Sequence, residues 1–183
     1  MGLYALGYRS LNGVDHTQEM CEFARRSLPR EVSIEHAPEI CPWLADHACL
    51  FEAIIMNNVI EHLPLNQIVN TMSRVREALV PGGFVFISTP NMAALFGAYT
   101  RYVDFTHVIG FTEFSLFQLL DLAGFSGHRI VNYSPTSGRG LVRLTRRLLY
   151  RSLHRIVGVS PVPTCCESAI DVISYRDAVM HKS

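Results

Sequence analysis

Apolar runs and helical periodicities alternate in the middle of the chain and predict a strand, a helix and a second strand. Residues 51–56 form a short apolar run of the kind found in buried strands. From 69 to 80, apolar residues recur at roughly helical spacing with charged residues between them, which predicts an amphipathic helix. The Pro-Gly-Gly sequence at 81–83 predicts a turn that ends this helix, and residues 84–88 predict a second buried strand. Such a unit predicts parallel strands joined by a right-handed crossover.

The same patterns continue the alternation of strands and helices over the rest of the chain. They predict strands at 11–14, 32–34, 129–133 and 169–175, and helices at 18–28 and 113–123, with Thr112 as the N-cap of the second. The strand at 169–175 is expected at the sheet edge, in an antiparallel pair. Arginines and leucines at helical spacing over 139–157 predict a basic amphipathic helix. Its arginine face is either solvated or in peripheral contact with an anionic membrane.

Composition narrows the class of protein and its partners. The chain has 183 residues, 49% hydrophobic and 17% charged, which predicts one globular domain over 1–183. Sixteen basic and sixteen acidic residues cancel, so we expect no nucleic-acid partner. No apolar run reaches the roughly 18 residues of a membrane-spanning helix. Five cysteines, an odd number without a secretory signal, predict reduced thiols and a cytoplasmic location, and their spacing predicts no metal site.

Three short motifs in order carry a resemblance to a known family. They are Asn-Asn-Val-Ile-Glu-His-Leu at 57–63, Leu-Val-Pro-Gly-Gly at 79–83 and Thr-Pro-Asn at 89–91. Together they resemble the class I, Rossmann-like methyltransferases that depend on S-adenosylmethionine. The resemblance implies a three-layer αβα fold, a mostly parallel sheet with an antiparallel edge strand, and S-adenosylmethionine as cofactor. It also implies three parts within the domain: a cofactor half at 1–50, a central βαβ unit at 51–91, and a substrate-side part at 92–183.

The resemblance also assigns cofactor-binding residues. The sequence Gly-Val-Asp-His-Thr-Gln-Glu-Met at 13–20 is similar to the family's strand end, where a carboxylate accepts the ribose hydroxyls, and this implies that role for Asp15. A carboxylate favoured at a helix N-terminus is the alternative reading of Asp15. His36 stands where the family has an aspartate against the adenine. The implied set consists of Asp15, His16, Met20, His36, Asn57, Asn58 and Glu61.

One departure from the family concerns the front of the chain. The glycine-rich loop that precedes this region in the family has no counterpart, because no Gly-x-Gly occurs in residues 1–30. We therefore expect an N-terminally incomplete methyltransferase fold, in which strands beside the missing one expose edges that favour a homodimer. The alternative function is a cofactor-deficient interaction or regulatory module, or a truncated fragment. A nicotinamide-dependent enzyme is disfavoured because Gly-x-Gly-x-x-Gly is absent as well.

Candidate catalytic residues follow from the chemistry of methyl transfer to a hydroxyl, which is helped by a general base. His107 is the first candidate, on a segment expected to cover the strand ends, with Asp104 orienting it. His62 is the second. The sequence Asp-Phe-Thr-His at 104–107 and the pattern at 116–125 resemble a branch of the family linked to surface-glycan assembly. The predicted activity is methylation of a small molecule or a glycan hydroxyl, as in polysaccharide biosynthesis.

Overall fold

The computed structural model describes residues 2–94, 96–131 and 169–177. The chain divides into two compact units, Met1–His47 and Ala48–Ser183. The predicted basic helix at 139–157 lies outside the described residues, as does the end of the strand predicted at 129–133. Within the described ranges, no helix is long and apolar enough to cross a membrane.

The amino-terminal unit contains a parallel strand pair and three helices. In chain order these are α1 (Gly2–Ala5), β1 (Asn12–Asp15), α2 (Gln18–Ser27), β2 (Ser33–His36) and α3 (Ile40–Asp46). The β1–β2 register pairs Asn12 with Ser33 and Asp15 with His36, so both strands point their carboxyl ends in one direction. The two strands and α2 match the sequence prediction to within one or two residues.

The apolar side chains of α2 are only partly buried. Cys21 is fully buried and its thiol donates to the Glu35 carbonyl, at 3.2 Å. Met20 and Phe23 are 52% and 62% exposed. The two-stranded sheet thus buries only a narrow stripe of this helix.

The carboxyl-terminal unit is built on a four-stranded sheet. Its elements are β3 (Phe51–Asn57), a 3₁₀ turn (Ile60–His62), α4 (Ile68–Ala78), β4 (Leu79–Pro90), α5 (Gly97–Tyr102), α6 (Glu113–Leu122), β5 (Ser126–Ile130) and β6 (Ala169–Tyr175). The strand order is β3-β4-β6-β5. β3 is parallel to β4, and β6 is antiparallel to both of its neighbours, so three of these four strands run in one direction. The α/β class and the mostly parallel sheet are confirmed.

The position of β6 corrects one prediction. Its antiparallel pairing is as expected, but it lies between β4 and β5 and not at the sheet edge. Alternate residues Ile170, Val172 and Ser174 are fully buried. A strand with a ladder on each side and a buried face satisfies its backbone groups best in the interior of the sheet.

The Pro-Gly-Gly sequence makes a bulge inside a strand and not a boundary. Leu79 pairs with Phe51 and Phe84 with Ala53, so β4 continues through residues 80–83 with a register shift. Gly82 has a φ of +82°, as predicted for a turn glycine. A side chain on Gly83 would stand 2.9 Å from the Val80 carbonyl oxygen. The local turn chemistry was predicted correctly, while the surrounding ladder converts it into a bulge.

The helix predicted at 113–123 is confirmed as α6. Thr112 forms a reciprocal capping box with Ser115, in which each side chain bonds to the other residue's backbone N–H. Its predicted apolar face is buried, and Gly124 follows with a φ of +81°. The buried apolar side chains are Leu116, Leu119, Leu120 and Ala123.

Candidate functional site

Polar residues gather where β3 and β4 end side by side. Asn57 pairs with Ser88 at the end of the parallel ladder, and the backbone N–H of Asn58 donates to the Ser88 carbonyl, at 2.9 Å. Asn58 has a φ of +51°, a left-handed conformation that asparagine tolerates better than most residues. This conformation turns the chain from β3 into the 3₁₀ turn that carries Glu61 and His62. Both asparagines are exposed.

Glu61 is the buried centre of this region. It is 1% exposed, and its Oε2 accepts a hydrogen bond of 3.0 Å from the hydroxyl of Thr89, at the end of β4. Its backbone carbonyl accepts from the N–H groups of Val108, at 2.7 Å, and Ile109, at 3.2 Å. These bonds fix the segment that contains His107 against the carboxyl ends of the strands, as the sequence predicted for that segment.

His62 and His107 face each other within this region. Their ring centroids are 4.8 Å apart and the planes are inclined by 60°. The Nδ1 atom of His107 lies 3.2 Å from the Arg101 carbonyl oxygen, which can only accept, so Nδ1 carries the proton. In the neutral ring, Nε2 of His107 is therefore the atom with the lone pair.

Asp104 contacts His62 through Thr106, which differs from the predicted pairing of Asp104 with His107. Both the hydroxyl and the backbone N–H of Thr106 donate to Asp104 Oδ1, at 2.7 and 2.9 Å, and they hold the pKa of this carboxyl below its usual range. Because the one hydrogen of the Thr106 hydroxyl is donated to Asp104, the Thr106 oxygen can only accept from His62 Nδ1, which lies 3.0 Å away. Thr106 thus links the Asp104 carboxylate to His62, while both histidines, His107 before His62, also help to lower the pKa of Asp104.

Three residues for which the sequence predicts separate roles lie close together in the structure. Ligand-type atoms of Glu61, His62 and His107 all lie within 4.8 Å of one another. Sequence reasoning missed the parts played by Thr89 and Thr106. The only sequence signal for them is their place in the Thr-Pro-Asn and Asp-Phe-Thr-His motifs.

Exposed aromatic side chains surround the segment that leads to His107. Phe105 is 95% exposed, and Phe96, Tyr99 and Tyr102 are also largely exposed. Arg101 anchors the segment, because its guanidinium donates to the Val108 carbonyl at 2.7 Å. The aromatic rings are therefore attached to a held segment and are available for contact with a ligand.

The predicted cofactor residues of the amino-terminal unit lie together at the carboxyl ends of β1 and β2. Asp15 Oδ1 accepts from the Thr17 N–H at 2.7 Å and lies 3.5 Å from His16 Nδ1. The His36 ring donates from Nε2 to the His16 carbonyl, at 3.0 Å. The Asp15 carboxylate remains 43% exposed, so a diol can still reach it.

A mostly apolar hollow opens beside Asp15. Gly13, Val14, Asp15, Met20, Cys21, Ala24 and Ile34 line it. The Asp15 carboxylate in this hollow is exposed enough to accept hydrogen bonds from a diol, which is the group that the ribose of S-adenosylmethionine presents.

Comparison with known proteins gives one family match. A family model described as a methyltransferase domain matches residues 10–130. This range covers β1 to β5 and includes every predicted site residue. No curated protein matches the sequence.

Solved structures of methyltransferases share the fold. A SAM-dependent methyltransferase from Archaeoglobus fulgidus is 17% identical, with a TM-score of 0.65 over 90% of this chain and 75% of that chain. One from Mesorhizobium loti is 17% identical, with a TM-score of 0.61 over 94% and 83%. The 1,6-didemethyltoxoflavin-N1-methyltransferase of Burkholderia thailandensis, solved with S-adenosylhomocysteine, is 17% identical, with a TM-score of 0.56 over 96% and 65%.

Proposed function

From the premise that the chain belongs to the methyltransferase-domain family and uses S-adenosylmethionine, we propose that it methylates a hydroxyl group of a small molecule or glycan. The observation that carries the hydroxyl assignment is the pair of histidines at the carboxyl ends of β3 and β4. A hydroxyl is a weak nucleophile until its proton is removed, and an imidazole is suited to accept that proton near neutral pH.

In the amino-terminal unit, Asp15 is the residue proposed to hold the cofactor. Its exposed carboxylate would accept the ribose hydroxyls, and His16, Met20 and His36 would border the nucleoside. The family resemblance supports three further proposed cofactor residues in the carboxyl-terminal unit, namely Asn57, Asn58 and Glu61. When bound, S-adenosylmethionine supplies a methyl group on a positively charged sulfur, which an oxygen can attack without covalent help from the protein.

His107 is the proposed proton acceptor. The Arg101 carbonyl holds the proton on Nδ1 and leaves the Nε2 lone pair for the acceptor hydroxyl. His62 has the same arrangement, because the Thr106 oxygen occupies its Nδ1. Asp104 acts as a positioning residue for His62, through Thr106.

The exposed aromatic rings support an acceptor with an apolar or ring-shaped face. Phe105 precedes Thr106 and His107 directly, and Tyr102 lies on the same segment. Aromatic rings bury much apolar area at small entropic cost, so they hold a flat ligand well. A sugar ring and a small aromatic compound both meet this description.

Titration of S-adenosylmethionine into the chain, measured by calorimetry, tests the cofactor assignment. We expect saturable binding that Asp15→Ala weakens about 10- to 100-fold, because hydrogen bonds to a charged group contribute about 1.5 to 3 kcal/mol. Asp46→Ala, which removes an exposed carboxylate at the end of α3, serves as the control and should bind like the wild type. Equal affinity in all three proteins would reject the role of Asp15. Absence of binding by the folded wild type would favour an interaction module.

Transfer of a labelled methyl group tests the hydroxyl acceptor and the base together. Candidate acceptors are nucleotide sugars, lipid-linked glycans and small phenols. We expect His107→Asn to lower kcat by about 10² to 10⁴ while cofactor affinity is unchanged, as is usual for loss of a general base. A His107→Asn enzyme with wild-type kcat would exclude His107 as the base. Methyl transfer only to amines would exclude the hydroxyl assignment.

Three further proposals rest on the sequence. The odd number of cysteines supports a cytoplasmic location. The Asp-Phe-Thr-His motif at 104–107 supports a glycan acceptor and a place in polysaccharide biosynthesis. A homodimer is proposed because strands without their expected neighbour would expose edges. Peripheral membrane contact through 139–157 is proposed on its arginine spacing.

A further inference from the structure

We propose that Glu61, His62 and His107 bind one divalent transition-metal cation. Two imidazole nitrogens and a carboxylate oxygen, all within 4.8 Å of one another, form a donor set that suits the first-row metals from manganese to zinc. This reverses the sequence-based prediction of no metal site, which considered only the cysteines. The catalytic part of the proposal rests on the proposed function, whereas cation binding can be measured alone.

The first supporting observation is a buried carboxylate oxygen with nothing to satisfy it. Glu61 is 1% exposed, and Thr89 donates to its Oε2. Within the part of the chain that the structure describes, its Oε1 has no hydrogen-bond partner. Burying a polar oxygen without a partner is unfavourable, and more so when the group is charged. A cation beside Glu61 supplies the missing partner and neutralises the charge.

The second observation is that both imidazoles already have their outer partners. The Thr106 oxygen accepts from Nδ1 of His62, and the Arg101 carbonyl accepts from Nδ1 of His107. Metal-binding histidines almost always donate their second ring nitrogen to an oxygen in this way, which fixes the tautomer and the ring orientation. Asp104 extends the arrangement as a carboxylate behind Thr106. Both Nε2 atoms are thereby ready to bind a cation.

The spacing and the exposure also fit an accessible, incomplete coordination shell. Ligand atoms bound at about 2.0 to 2.2 Å from one ion lie no more than about 4.4 Å apart, so the three atoms, within 4.8 Å of one another here, must move closer together when the ion binds. His62 and His107 are partly exposed, which gives the ion a route in. Three protein ligands leave positions for water or for the acceptor hydroxyl.

A bound cation changes how the acceptor loses its proton. The Nε2 lone pair of His107 either accepts the acceptor's proton or binds the cation, so the two roles of His107 are alternatives: the base without the ion, a ligand with it. A cation held by Glu61, His62 and His107 would supply Lewis-acid chemistry, lowering the pKa of a hydroxyl bound to it, and the proton would leave to water. Activity should depend on the cation if this arrangement operates in the enzyme.

Titration with Mn²⁺ alone, followed by the electron paramagnetic resonance signal of the free ion, tests cation binding. Manganese is the probe because thiolates prefer softer ions, and the chain has five cysteines. We expect one equivalent to bind to the full chain. Thr106→Val, which removes the outer partner of His62, should weaken binding about 10- to 100-fold. Thr100→Val removes a hydroxyl that bonds within α5 and should leave binding unchanged.

Glu61→Gln and His107→Asn test the ligands directly. Each should weaken Mn²⁺ binding by more than the roughly 100-fold limit for an outer partner. At 100 times Kd, Mn²⁺ should raise the Tm of the wild type by about 5 to 10 °C, and should not raise that of Glu61→Gln. The Tm of cation-free Glu61→Gln should be at least that of the wild type, which shows that it folds.

Absence of Mn²⁺ binding by the wild type would overturn the proposal, as would unchanged affinity in Glu61→Gln and His107→Asn. The general-base assignment of His107 would survive both results. Conversely, failure of S-adenosylmethionine to bind would reject the proposed function and leave the cation measurement intact. Loss of methyl transfer on chelation, restored by Mn²⁺, would support the catalytic part, and activity unaffected by chelation would reject it.

Discussion

At the residue scale, the direction of each hydrogen bond around the two histidines decides what they can do. The Thr106 hydroxyl has one hydrogen, and it donates this hydrogen in a bond to the anionic Asp104 carboxylate. Thr106 therefore accepts from His62 and fixes its tautomer. A carbonyl does the same for His107. Each ring thus has its Nδ1 proton held by an oxygen and its Nε2 lone pair free.

Phe105 offers a test of acceptor recognition that is separate from stability. Because its ring is 95% exposed, Phe105→Ala should change the free energy of unfolding by no more than about 0.5 kcal/mol. Loss of an aromatic contact to the acceptor should raise the acceptor KM about tenfold, since about 1.4 kcal/mol corresponds to that factor. The measurement is steady-state kinetics with the acceptor varied and S-adenosylmethionine saturating.

The control for Phe105→Ala is Leu122→Ala. Leu122 is 71% exposed at the carboxyl end of α6, so its truncation also removes an exposed apolar side chain. Its KM should equal that of the wild type. Equal KM values for Phe105→Ala and the wild type would show that the acceptor does not contact this ring.

At the element scale, α6 depends on its first turn. Thr112→Ala removes the bond that the Thr112 hydroxyl accepts from the Ser115 N–H, while the Ser115 hydroxyl can still accept from the backbone N–H of residue 112. The free energy of unfolding should fall by about 1 kcal/mol. Thr112→Ser keeps the hydroxyl and should lie close to the wild type. Urea unfolding of the three proteins measures the difference. A Thr112→Ser protein as unstable as Thr112→Ala would assign the effect to the lost methyl group and not to the cap.

Local patterns predicted the elements well where one residue type decides the outcome. Thr112 begins α6 as predicted, and Gly124 follows its end. The apolar run at 51–56 is β3, but its predicted burial was wrong, because β3 lies at the sheet edge and only its Met56 is buried. Prediction failed where pairing with a neighbouring strand determines the structure of a segment. The Pro-Gly-Gly turn became a bulge because β3 pairs on both sides of it, and β6 moved inward because β4 and β5 both pair with it. Periodicity carries no information about such partners.

The candidate site residues could be predicted only in part, because their contacts also depend on other elements of the chain. The sequence predicts His62 beside a strand end and His107 on a segment that covers the strand ends, and the parallel β3–β4 pair brings those ends together. The contact between Asp104 and Thr106 is local, yet its partner His62 comes from another element. The burial of Glu61 depends on Thr89 and on the backbone at 108–109. Only the folded chain reveals that a metal-type donor set results.

At the scale of the whole molecule, each unit contains one parallel strand pair, and each pair ends in candidate site residues. β1 and β2 end at Asp15 and His36, and β3 and β4 end next to the Glu61 cluster. Placing polar side chains at the carboxyl ends of parallel strands is a general property of α/β enzymes. Both units thus follow one architectural rule, although their site residues differ in chemistry.

The place of β6 also governs when the carboxyl-terminal unit can fold. Within the described residues, β4 and β5 have no ladder with each other, and each pairs with β6, which is synthesised after both. At a synthesis rate of about 5 to 20 residues per second, both leave the ribosome seconds before β6 does. During that interval each has an unsatisfied edge that can pair with another nascent chain. Folding of this unit is therefore completed only after residue 175 has emerged, and its yield in the cell should depend on chaperones that protect open strand edges.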